Sequence, residues 1–99
     1  MPEWICFLHT SRDNFAATMT DDEIRVWDEH FERLKGMLAE GSLILAGPTL
    51  GTINTGIVIF EAPDEAAARR MMDDDPTIRS GFARGELREF RVSLLRGRA

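Results

Sequence analysis

The chain has 99 residues, 43% of them hydrophobic and 29% charged, with a net charge of −5 at neutral pH. That length fits one compact domain over residues 1–99, and the composition is globular rather than disordered. The acidic balance argues against nucleic acid or an anionic membrane surface as a partner, since either needs a basic footprint, and no apolar run approaches the ~18 residues that span a bilayer.

Trp4-Ile5-Cys6-Phe7-Leu8 is a continuous apolar run and reads as a central strand buried on both faces. Cys6 is the only cysteine, which excludes an intrachain disulfide, suits a reducing compartment and reads as a buried small hydrophobe rather than a nucleophile. The N-terminal Met1-Pro2-Glu3 has neither a basic flank nor a long apolar stretch, so the expected location is the cytoplasm. Residues 11–19 read as a loop anchored by Phe15.

Thr20-Asp21-Asp22-Glu23 is a capping-box signature, with three acidic residues suited to the positive end of a helix. Ile24, Trp27, Phe31, Leu34 and Leu38 then recur at spacings of three and four, which predicts an amphipathic helix over 21–40. Gly41 is its natural stop. Leu43 to Ala46 reads as a second strand ended by Gly47-Pro48, 51–54 as a turn, and Ile57 to Phe60 as a third strand pairing antiparallel with the second.

Pro63 suits the first position of a second helix, carried on by Ala66, Ala67 and Ala68 and packed through Met71 and Met72. Asp73-Asp74-Asp75 before Pro76 ends it, and the proline pushes Asp75 into an extended or turn conformation. A short turn over 77–81 leads to a last strand in which Phe90, Val92 and Leu94 alternate with Arg91 and Ser93. The late arginines, Arg84, Arg88, Arg91, Arg96 and Arg98, are interrupted by Glu86 and Glu89 and read as a solvated strand face and tail.

The order is β-α-β-β-α-β, which predicts an α+β, ferredoxin-like antiparallel sheet with both helices on one face. The first and third strands carry apolar residues on both faces, so a homodimer packed through the second sheet face is expected.

Two groups can do acid–base chemistry together. His30 lies three positions from Trp27 and four from Leu34, beside the apolar stripe, and an imidazole titrates near ~6.5. Asp75, fixed by Pro76, is the carboxylate chosen to orient one ring nitrogen, leaving the other for a substrate. The plainer alternative makes His30 structural and the three aspartates one wet acidic patch. His9, at the end of the first strand, Gly47 and Pro48 are candidates to line the same cleft. No histidine or cysteine spacing suits a metal, so no metal or cofactor is expected. Gly47-Pro48 and Gly51 lack the lysine of a phosphate loop, and Ser42 and Ser80 lack a nucleophile elbow.

His30 with Leu34, then Gly41, Leu43, Ala46-Gly47-Pro48, Gly56, Ala66 and Asp75-Pro76, resembles the YciI-like (YCII-related) family from about Trp4 to Val92. The resemblance implies a ferredoxin-like fold, a dimer of the dimeric α+β barrel type, and a histidine–aspartate pair at the positions of His30 and Asp75. It also implies a small-molecule substrate and proton abstraction with elimination as one supported chemistry, since one member is a dehydrochlorinase. The chain departs from many relatives in having Thr77 after Asp75-Pro76 where they have an aromatic residue. It also has Ile57 after Gly56 and a short segment between Pro48 and Gly56.

Overall fold

The computed structural model describes residues 1–97, so Arg98 of the basic tail lies outside the described residues. The elements are β1 (Glu3–Thr10), α1 (Asp21–Glu40), β2 (Leu43–Pro48), β3 (Thr55–Glu61), α2 (Glu65–Asp73), α3 (Pro76–Arg79) and β4 (Ala83–Phe90). The sheet order is β2-β3-β1-β4 with every neighbouring pair antiparallel. Each helical crossover therefore returns the chain with one strand left between, which is the ferredoxin-like arrangement.

Alternation along β1 sends Trp4, Cys6 and Leu8 to the helical side, where they are buried with Val58, Phe60 and Leu34. Ile5 and Phe7 point to the other side and are only half-buried. The expected burial on both faces is thus met on one face within a single chain. β2 runs two residues further than expected, pairing Pro48 with Gly56, and its register shifts between Leu43 and Leu45. Proline is tolerated there because β2 is the outermost strand.

The first helix matches its predicted span. Thr20 and Glu23 exchange both bonds of a capping box, and Gly41 closes the end at φ 96°. Its buried side differs from the predicted stripe. Glu23, His30, Leu34 and Met37 are buried, whereas Ile24, Phe31 and Leu38 are 45%, 59% and 59% exposed. The helix is rotated toward two polar residues because both find partners inside, Glu23 with Arg12 and His30 with Asp75.

Two further boundaries are corrected. The second helix begins at Glu65 rather than Pro63, because the Asp64 side chain accepts from the Ala67 amide and caps it. The last strand ends at Phe90, so Val92 and Leu94 lie beyond it. Its inward residues are instead Ala83, Gly85 and Leu87. A Cβ at Gly85 would sit 2.7 Å from Met72 Sδ, so the end of the Met72 side chain would have to shift to admit one. Part of the expected turn after Asp75 is α3, whose first position is Pro76.

Candidate active site

The two helical segments and the sheet bring His30 and Asp75 together from 45 positions apart. His30 projects from the buried side of α1. Asp75 lies where α2 gives way to α3, extended at φ −65° and ψ 134° as the following proline requires. His30 Nδ1 is 2.7 Å from Asp75 Oδ2. The other oxygen, Oδ1, accepts from the Thr77 amide at 2.9 Å and the Thr77 hydroxyl at 2.6 Å, so the carboxylate is also the N-cap of α3. Arg33 Nη1 is 3.3 Å from Oδ2, and Arg33 Nη2 donates to the Met71 carbonyl at 2.7 Å.

This environment sets the protonation states. Burial pushes the Asp75 carboxyl up, but the hydrogen bond and charge of His30, with the donors of Thr77, outweigh it and leave Asp75 below its ordinary value of 3.8. An ionised carboxylate can only accept, so Nδ1 of His30 carries the proton. In the neutral ring Nε2 then holds a lone pair. Among the described residues Nε2 has no protein partner, yet it is not sealed off.

His30 is part of the lining of a cavity of about 300 Å³ between α1, the 11–19 loop and the β2–β3 end of the sheet. Trp27, Phe15 and Phe31 supply aromatic surface, with Phe15 and Trp27 rings 4.8 Å apart. Gly47 and Pro48 border the cavity. The Asn14 amide donates to the Thr52 carbonyl at 2.7 Å and helps hold the 11–19 loop over the cavity, with further ties at Ala16 and Arg12. Asn54 Oδ1 accepts from the Ala16 amide, and Arg12 grips both oxygens of Glu23 at 2.9 Å.

His9 is not where the sequence reading put it. It follows Leu8 on β1, so the pleat turns it to the opposite face of the sheet, away from the cavity. There its Nε2 is 2.9 Å from Glu86 Oε1, and its ring stacks on Phe7 at 6.2 Å. Arg33 and Asn54 were not singled out from sequence. Arg33 was detectable as the residue one turn after His30 on the same helix face; the role of Asn54 depends on contacts between loops and left no such signal. Cys6 is buried beneath the site, and burial pushes its thiol up to about 12. Among the described residues no three histidine, cysteine, aspartate or glutamate side chains converge as metal donors, and no helix is long and apolar enough to cross a membrane.

Residues 4–91 match the family model of the YCII-related domain. The chain also superposes, at a TM-score of 0.66 and 16% identity, on 5-chloro-2-hydroxyhydroquinone dehydrochlorinase (TftG) from Burkholderia phenoliruptrix AC1100 in complex with 2,5-dihydroxybenzoquinone. The match covers 89% of this chain and 93% of the other. At that identity the likeness is one of fold. No curated protein matches the chain significantly.

Proposed function

The chain belongs to the YCII-related domain family, and we propose that it is a small, cofactor-independent enzyme in which His30 moves a proton on a small organic substrate while Asp75 orients and supports the imidazole. The observation that carries this reading is the pairing of Nδ1 with an ionised carboxylate on a histidine that lines an apolar cavity and whose Nε2 has no partner among the described residues. A base so placed abstracts a proton from a substrate carbon or hydroxyl. In an elimination the proton passes to Nε2, the C–H electrons form the new double bond, and a leaving group such as chloride departs with its bonding pair. That the fold neighbour is a dehydrochlorinase holding a quinone is in keeping with such chemistry.

The cavity also bears on the substrate. Its volume is at the small end of ligand sites. Among the described lining residues there is no lysine, arginine, aspartate or glutamate, and His30 is the one ionisable side chain. Nothing there anchors a carboxylate or phosphate, so the reading favours a neutral, ring-sized, largely apolar molecule held against Trp27 and Phe15. The same reading makes the protein a cytoplasmic homodimer, with the half-buried Ile5, Phe7 and Ile57 of the outer sheet face at the interface.

The second reading is a module that binds such a molecule without transforming it, and the same cavity supports it. The test is a thermal-shift screen of hydroxylated and chlorinated quinones and phenols, where a ligand at ~100 times its dissociation constant adds ~2.7 kcal/mol. Turnover of the hits by wild type and His30→Gln follows. The enzyme reading expects a loss of roughly a hundredfold to ten-thousandfold in rate with binding retained. Full activity in His30→Gln would end it, and binding without turnover in wild type would favour the module.

A further inference from the structure

We infer that Arg33 is a positioning residue that keeps the His30 imidazole neutral, and so able to accept a proton, by sharing the oxygen of Asp75 that His30 uses. This rests on the reading of His30 as the proton-transfer base and deepens it.

A histidine beside a lone buried carboxylate has a difficulty as a base. The full negative charge favours the imidazolium, and an imidazolium carries a proton on Nε2 where the lone pair is needed. Arg33 changes this balance. Its Nη1 lies 3.3 Å from the same Oδ2 that is 2.7 Å from His30 Nδ1, so it offsets the charge without displacing the ring. Its Nη2 is held by the Met71 carbonyl at 2.7 Å, which ties α1 to the last turn of α2 and fixes where the cation sits. Thr77 occupies the other carboxylate oxygen with two donors. Asp75 and Arg33 together sum to zero, and protonating His30 would leave a net positive charge in a largely buried place.

The remaining groups around His30 do not restore the imbalance. On the cavity side the lining carries no charged side chain, and Trp27 presents an aromatic ring 6.4 Å away. From the sheet, Cys6 shares a small void with Asp75 and Arg33, and its thiol stays neutral. From α2, the nearest further carboxylates in sequence, Asp73 and Asp74, are exposed to solvent. Arg33 is therefore the group that opposes Asp75.

The experiment is a proton-NMR titration of the His30 ring from pH 4 to 9 in wild type, Arg33→Gln, Arg33→Lys and Asp75→Asn. Gln keeps a donor but loses the charge, and His30 is expected to titrate roughly one unit higher. Lys keeps the charge but loses the fork that reaches Met71, so it should lower thermal stability while leaving the His30 titration within ~0.3 units of wild type. A purely structural role would make both variants unstable and shift neither titration. If Asp75→Asn moves the titration and Arg33→Gln does not, the inference on Arg33 falls and the dyad stands. If neither moves it, the dyad falls and takes the inference with it. With a substrate in hand, the basic-form limb of kcat/KM should move upward in Arg33→Gln by the same amount.

Discussion

Thr77 donates both its amide and its hydroxyl to one oxygen of Asp75, leaving the other oxygen to His30 and Arg33. One carboxylate thus starts a helix and aims an imidazole. The hydroxyl bond is short, at 2.6 Å, and sits at a fully buried threonine. Thr77→Val keeps the shape and removes only that donor. It should cost about 2 kcal/mol and lower Tm by about 10 °C in a calorimetric scan. An unchanged Tm would show that the hydroxyl does not support the carboxylate.

Stability should fall on the acid side, and the sign follows from two depressed carboxyls. Asp75 lies below 3.8 because its partners outweigh its burial. Glu23 is lowered from 4.5 to about 2, first by Arg12 and then by the Thr20 amide. A carboxyl depressed in the fold contributes stability above its unfolded value and loses it as pH falls through its folded value. Urea midpoints measured from pH 6 to 2 should therefore drop below pH 4.5. Asp75→Asn and Glu23→Gln should each flatten that drop. Midpoints independent of pH in wild type would contradict the assignment.

Cys6 should be inert in the native protein. Its thiol is buried, and at about 12 it is almost wholly protonated near neutrality. Iodoacetamide at pH 8 should leave it unmodified by mass spectrometry, and the same reagent in urea should add one group. Rapid native labelling would mean that the core beneath the dyad opens readily.

Ala46 borders the cavity at an exposed position of β2. Ala46→Phe should place a ring in the opening and weaken any cavity ligand by about tenfold or more, a loss of ~1.4 kcal/mol. Being a surface change, it should alter stability by no more than ~0.5 kcal/mol. Ligand affinity by calorimetry checks this; undiminished binding would place the ligand elsewhere.

The sequence was a better guide to α1's ends than to its orientation. Thr20, Glu23 and Gly41 mark its limits through local chemistry, which survives folding unchanged. Which side faces inward is a tertiary matter. Apolar spacing selected Ile24, Phe31 and Leu38, and the fold instead buried Glu23 and His30 because Arg12 and Asp75 wait for them from distant parts of the chain. β4 was misjudged for a related reason. Its inward side is Ala83, Gly85 and Leu87, small where Met72 and Ile78 press on it, and small residues give little apolar signal. The contact between His30 and Asp75 could be anticipated because Pro76 distinguishes Asp75 from Asp73 and Asp74. His9 was misplaced by a single step in the pleat.

Trp27 gives the cavity a built-in optical reporter. The chain has two tryptophans, and Trp4 is locked in the core with its Nε1 donating to the Ala62 carbonyl at 3.1 Å. Its emission should stay constant while the cavity fills. The indole of Trp27 forms part of the wall, so an occupant that displaces water from it or stacks on it alters its fluorescence. Intrinsic emission, followed without any label or known turnover, can therefore sort candidate molecules by whether they reach the neighbourhood of His30.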